Sequence, residues 1–223
     1  MAYFNEDNVT EQMCLEIAKQ AGYEYCNADD LREAKSDIIV EHLLQQALIK
    51  INHITLSEAQ VVIQKVKDTI YKGIGGDIIT ANQELRNLFF KENSFPFGKN
   101  GEHKSISFFD TNPETARKTN TYVVTNQWEY PKSSYAGGKR LDVVLLINGI
   151  PMVIGEVKTA TKASISWADG AKDILDYQKS IPEMFVPNIL SFASEGKELY
   201  YGSIGAPLTK WGPWFARRRL AAI

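Results

Sequence analysis

The spacing of apolar positions changes once along the chain. Over residues 8–21 (NVTEQMCLEIAKQA), Val9, Met13, Ile17 and Ala21 recur every fourth residue, which predicts a helix buried along that stripe. Thr10 is placed to cap it and Gly22 to stop it. Asn27 to Asp30 reads as an acidic turn. Ile38, Ile39, His42, Leu43, Ala47 and Ile51 predict a second helix over 36–51, and Val61, Val62, Lys65 and Val66 a third from Ser57. Gly73, Gly75 and Gly76 interrupt the pattern before a further short helix over 80–91.

From residue 105 the period shortens. The runs 105–109, 121–129, 141–147 and 152–158 are rich in β-branched and aromatic residues and predict strands. Asn148-Gly149 marks a hairpin between the last two. Residues 166–180 return to helical spacing, with Ile174 and Tyr177 among the periodic positions. Strands are expected at 189–193 and 199–202, turning at Glu195-Gly196. The order predicts an α/β or α+β fold: a mixed central sheet flanked by helices, with a helical N-terminal part. One domain is expected over 1–223, comprising a mainly helical 1–95, a sheet-containing core at 96–210 and a tail at 211–223.

Composition narrows the function classes. The chain has 223 residues, 25 Lys+Arg against 27 Asp+Glu, and 44% hydrophobic residues, enough to fill a core. Two cysteines, Cys14 and Cys26, with no CxxC spacing, make neither a disulfide framework nor a zinc site. There is no apolar run of membrane length and the first residues are acidic and polar, so a cytoplasmic protein is expected. A net charge of -2 argues against broad coating of nucleic acid but leaves room for a local site in a cleft. The sequence has no GxxxxGK[ST] phosphate loop and no GxSxG nucleophile elbow. His42, His53 and His103 lack metal-ligand spacing. Arg217, Arg218 and Arg219 read either as a phosphate patch or as a helix end.

The chemistry concentrates in residues 139–158, KRLDVVLLINGIPMVIGEVK. Both strands are apolar on both parities, as in a sheet covered on both faces. Yet Asp142, Glu156 and Lys158 lie in or beside these runs, and a buried carboxylate costs several kcal/mol unless paired or metal-bound. Glu156 and Lys158 share a face by alternation. A strict two-residue turn would pair Ile147 with Ile150 and Asp142 with Gly155, sending Glu156 to the other side. A three-residue loop would set Asp142 opposite Ile154, with Glu156 a diagonal neighbour on its face. Convergence of the acids therefore requires an odd loop or a compensating bulge. If they converge, two carboxylates, the main-chain carbonyl of Val157 and waters make a hard oxygen site suited to Mg²⁺. The competing reading is an ion pair at strand ends.

The pattern D-x13-E-V-K across a hairpin resembles the PD-(D/E)XK nuclease core, with Leu141 where the namesake proline often sits. RLDVVLLINGIPMVIGEVK further resembles the nuclease segment of the R subunit of type I restriction-modification enzymes. The likeness extends to TNTYVVTNQWEY, to AKDILDYQKSIPEMFVPNILSFASEGKELYYGSI, and to AGYEY and VEHLLQQALIKIN in the first half.

The resemblance implies Asp142 and Glu156 as ligands of Mg²⁺, with Mn²⁺ able to substitute, and Lys158 as the catalytic lysine. It aligns Asp173 and Tyr177 with a Q-x-x-x-Y motif, where Asp173 departs from the glutamine. Glu11 sits where related nucleases place another acid, against the alternative of a solvated glutamate. Lys139, Arg140 and Lys162 flank the core as candidate phosphate contacts. The implied partners are double-stranded DNA, helicase-like motor domains of the same polypeptide, through which alone ATP would enter, and the modification and specificity subunits. A non-catalytic docking module on the same scaffold is the alternative.

Overall fold

A computed structural model describes residues 9–131, 138–159 and 164–214 of the chain. Lys162 and Arg217 to Arg219 lie outside them. The first part comprises α1 (Val9–Gln20), the short strand β1 (Glu24–Tyr25), α2 (Ala28–Leu31), α3 (Glu41–Asn52), α4 (Leu56–Tyr71) and α5 (Ile78–Phe90). A small antiparallel pair, β2 (Ser94–Phe95) and β3 (Lys104–Ser105), and the single turn α6 (Ala116–Thr119) lead to the long strands β4 (Tyr122–Tyr130), β5 (Lys139–Ile147) and β6 (Ile150–Val157). The chain continues through α7 (Trp167–Ser180), α8 (Pro182–Phe185), β7 (Leu190–Ser194), β8 (Leu199–Gly202) and β9 (Gly212–Pro213).

Local chemistry sets the helix ends. Thr55 and Glu58 form a capping box at the start of α4, and Ser166 and Asp169 form one at the start of α7. The Asp77 carboxylate accepts from the Ile79 N–H at the start of α5. Asn27 does the same for the Asp29 N–H, so the acidic stretch expected as a turn is the first turn of α2.

Among the described residues the main sheet has seven strands in the order β1-β4-β5-β6-β7-β8-β9. β1 runs parallel to β4 and β7 parallel to β6; the other neighbours are antiparallel. The mixed α/β architecture is the one expected. One face carries the larger core, into which α2 to α5, α7 and α8 pack. The other is covered by α1, through Leu15 and Ala18 against Val124, Val143 and Phe192. Two covered faces explain why β5 and β6 are apolar on both parities.

Two local expectations are corrected. The stripe Val9, Met13 and Ile17 is the exposed side of α1; its buried side is Thr10, Glu11, Leu15 and Ala18. Both sets fit helical spacing. On the second, Leu15 and Ala18 pack on the sheet and Glu11 accepts hydrogen bonds from Asn126 and Gln127 of β4. Thr10 therefore lies inside the helix instead of capping it. The expected strand at 105–109 is confined to Lys104–Ser105, and Ile106 and Phe108 reach the core from irregular backbone.

Candidate active site

The β5–β6 hairpin turns in two residues, Asn148 and Gly149, both with positive φ (52° and 78°). This is the backbone of a type I′ turn. Asn148 is buried and anchors the tip: its side-chain amide donates to the Phe108 carbonyl (2.9 Å) and its Oδ1 accepts from the Thr121 N–H (2.8 Å). The Gly149 carbonyl accepts from Val40 (2.8 Å), and a Cβ at Gly149 would stand 2.4 Å from the Val40 carbonyl oxygen. Only glycine tolerates both the φ and the approach.

After the turn, Ile147 pairs with Ile150 and Leu146 with Pro151, but Leu145 pairs with Val153. Met152 is thus an extra residue in β6, a bulge that shifts the register by one. Val144 then faces Ile154 and Val143 faces Gly155, which sets Asp142 opposite Glu156. The turn is the regular one, and the compensating bulge brings the acids to one face. They are direct partners, not the diagonal neighbours of a three-residue loop.

Both acids are removed from water, Asp142 at 8% and Glu156 at 4% exposure. Burial raises Asp142 above the usual carboxylate range, opposed by the Val157 N–H, which donates to its Oδ2 (3.0 Å), and by the Lys158 charge. Burial and then the Asp142 charge push Glu156 up to about 8. Glu156 Oε1 accepts from Lys158 Nζ at 3.0 Å, whereas its buried Oε2 has no donor among the described residues. Two facing carboxylates cannot donate to each other, so the pair calls for a shared proton or a cation.

Lys158 follows the end of β6. Its N–H bonds the Ser194 carbonyl on β7 (2.8 Å), while the Val157 N–H points the other way, to Asp142. A strand residue's carbonyl lies on the side of its own N–H, so the Val157 carbonyl is directed toward β5. The Lys158 ammonium lies between Glu156 and Asp173 of α7, whose Oδ2 is 2.5 Å away. Burial disfavours the ammonium, but Asp173 and Glu156 more than offset it and hold Lys158 above the ordinary lysine value. α7 comes this close because residue 170 is glycine; a Cβ there would stand 3.1 Å from the Glu156 carbonyl oxygen.

Tyr177, one turn beyond Asp173, is half-buried, and burial followed by the charges of Glu156 and Asp173 raises its hydroxyl. Lys139 caps its ring at 5.0 Å and pairs with Asp176 (2.7 Å); Arg140 is exposed. Glu11 is not a solvated glutamate: it is 4% exposed and accepts from the amides of Asn126 and Gln127. Glu11 and Asp142 both act on the Cys14 thiol, which burial and then these charges push up to about 11.

Asn126 and Gln127 are the residues that sequence reasoning missed. The register of β4 on β5 sets Gln127 opposite Asp142, and Gln127 has φ 54°. That left-handed backbone turns adjacent amides to one carboxylate, and an ordinary glutamine in a strand gives no signal of it.

Among the described residues no group of three or more His, Cys, Asp or Glu side chains is arranged to hold a metal ion. The residues present fit Mg²⁺ in another way. This ion takes one or two carboxylates and fills its remaining positions with water and substrate phosphate. Asp142, the donorless Oε2 of Glu156 and the Val157 carbonyl supply oxygens of that kind.

The chain matches the family described as type I restriction enzyme R protein N terminus over residues 3–210. It is 29% identical over 219 residues, 94% of this chain, to the type I restriction enzyme HindI endonuclease subunit of Haemophilus influenzae. It is 28% identical over 222 residues, 96% of this chain, to a provisionally named type I restriction enzyme MjaIXP endonuclease subunit of Methanocaldococcus jannaschii. In each case it spans 20% of the relative's length. No helix among the described residues is long and apolar enough to cross a membrane. A match across nearly the whole sequence, on a mixed α/β sheet, assigns this chain to the family of type I restriction enzyme R protein N termini.

Proposed function

We propose that the chain is the metal-dependent DNA endonuclease module of a type I restriction enzyme R subunit. The observation that carries the reading is the meeting of Asp142 and Glu156 across a bulged hairpin, with Lys158 on the same face. Asp142, Glu156 and the Val157 carbonyl would hold Mg²⁺, with Mn²⁺ able to replace it. When bound, the ion supplies polarisation of a phosphate oxygen and a lower pKa for water.

The reaction is hydrolysis of a phosphodiester. A water oxygen bonds to phosphorus, the bond from phosphorus to the 3′ oxygen breaks, and the proton the water gives up is balanced by the one the 3′ oxygen takes, leaving 5′-phosphate and 3′-hydroxyl ends. Lys158 remains an ammonium between two carboxylates and acts as a hydrogen-bond donor to the charge developing on the phosphate. A donor aimed at developing charge is worth about 10²–10³ in kcat. Lys139 and Arg140 contact phosphates at the rim, and Tyr177 orients the site from α7. Double-stranded DNA is the substrate. ATP acts through helicase-like motor domains of the same polypeptide, and modification and specificity subunits supply site recognition.

The test is DNA cleavage by the assembled enzyme, titrated with Mg²⁺ and Mn²⁺, comparing wild type with Lys158→Ala and Asp142→Ala. Wild-type cutting by both variants rejects the assignment. A protein that binds DNA and its partners but never cuts, whatever the metal, is the docking module instead.

A further inference from the structure

The geometry points to Asp173 as the positioning residue of Lys158: a carboxylate on α7 that fixes the ammonium from the side opposite the hairpin and weakens DNA binding in doing so. This deepens the nuclease reading and rests on it.

Lys158 has a long, flexible stem, and a donor that wanders among rotamers is a poor one. Two contacts hold it, Glu156 Oε1 at 3.0 Å and Asp173 Oδ2 at 2.5 Å. They are not equivalent. Glu156 is also the acid whose second oxygen lacks a donor, so a cation at the pair competes with Lys158 for it. The Asp173 contact comes from a separate element and survives that competition. Its base is rigid. α7 starts in the Ser166–Asp169 capping box, buries Ala171 and Ile174, approaches β6 closely at Gly170, and is tied to β5 by the Lys139–Asp176 pair (2.7 Å).

The aspartate stands where the resembled motif has glutamine. A glutamine offers a hydrogen bond without charge; the carboxylate holds the ammonium by both. The Asp173 side chain is 43% exposed, so its charge also faces arriving phosphates. One residue therefore has two separable effects of opposite sign, on turnover and on DNA affinity.

The experiment uses the full R polypeptide in its assembled enzyme, with kcat, KM for DNA and DNA Kd in EDTA measured for Asp173→Asn, Asp173→Glu and Lys158→Ala. Asp173→Asn is expected to lower kcat about tenfold through loss of positioning, while DNA binds about two- to fivefold tighter through loss of a repelling charge. Asp173→Glu is expected to recover most of kcat and the weaker binding. Unchanged kcat and Kd in Asp173→Asn, beside loss of cleavage in Lys158→Ala, overturns the positioning role and leaves the nuclease reading intact. Equal loss of kcat in Asn and Glu variants with no gain in DNA affinity also overturns it. Wild-type cleavage by Lys158→Ala rejects the nuclease reading itself.

Discussion

Asp142 and Glu156 face each other across the β5–β6 ladder because Met152 is one residue too many in β6. Without the bulge Asp142 would face Gly155, and Glu156 would lie on the side covered by α1. The bulge therefore concentrates two buried carboxylates on the α7 side, where Lys158 and Asp173 supply one cation and one further acid. Folding tolerates this because Val157 and Lys158 satisfy some of the oxygens; the unsatisfied one, Glu156 Oε2, is the oxygen proposed above for the metal.

Removing one charge of the pair should separate stability from activity. Asp142→Asn keeps an oxygen for the Val157 N–H and relieves a desolvated charge. In thermal melts without metal it should be as stable as wild type or more so. Its cleavage should fall by about 10²-fold or more, since electrostatic stabilisation at a reacting phosphate has that magnitude. Cleavage at the wild-type rate would contradict the assignment.

The pH dependence follows from Glu156, whose folded value of about 8 lies above its ordinary 4.5. Below 4.5 it is protonated folded and unfolded, and its full stabilising share is present. As pH rises toward 8 the unfolded chain releases a proton that the folded chain keeps, so stability falls, by up to about 1.4 kcal/mol per pH unit for one proton. Metal-free melting temperature should drop across this window, and Glu156→Gln should flatten the drop. Mg²⁺ competes with the proton, so its affinity by calorimetry should rise over the same range. A wild-type melting curve with the same pH slope as Glu156→Gln would count against the shift.

The hairpin tip is a stability element. Gly149→Ala places a Cβ 2.4 Å from the Val40 carbonyl oxygen at φ 78°, and should cost about 2 kcal/mol or more in urea melts. Asn148→Ala leaves the Thr121 N–H and the Phe108 carbonyl without their partners, with an expected cost of about 2–4 kcal/mol. Values under half a kcal/mol would show that the tip is not a stability element.

Glu11 is predicted to be mainly a structural acid. Glu11→Ala strands the amides of Asn126 and Gln127 and should destabilise by about 1–3 kcal/mol. Because Gln127 faces Asp142, cleavage by the folded fraction should fall modestly, far less than with Asp142→Asn. Metal affinity should stay near wild type; a large loss in calorimetry would make Glu11 a ligand.

By itself the sequence determined what is local. Helix caps such as Thr55 with Glu58 and Ser166 with Asp169, the change of period, and the Asn148-Gly149 turn depend on residues within a few positions of each other. The triad Asp142, Glu156 and Lys158 was legible because charged residues stand out in apolar strands. Only the tertiary structure decided which faces meet. Val9, Met13 and Ile17 against Leu15 and Ala18 was a choice between two helical stripes, decided only where α1 meets the sheet. The bulge at Met152 leaves no trace in the sequence because β6 is apolar on both parities, so either register buries the same kind of surface. Gly155 also answers to a distant neighbour: it pairs with Phe192 on β7, and a Cβ there would stand 2.1 Å from the Phe192 ring. The tie between Asp173 and Lys158 likewise spans two elements, and its distance exists only once α7 has packed on β6.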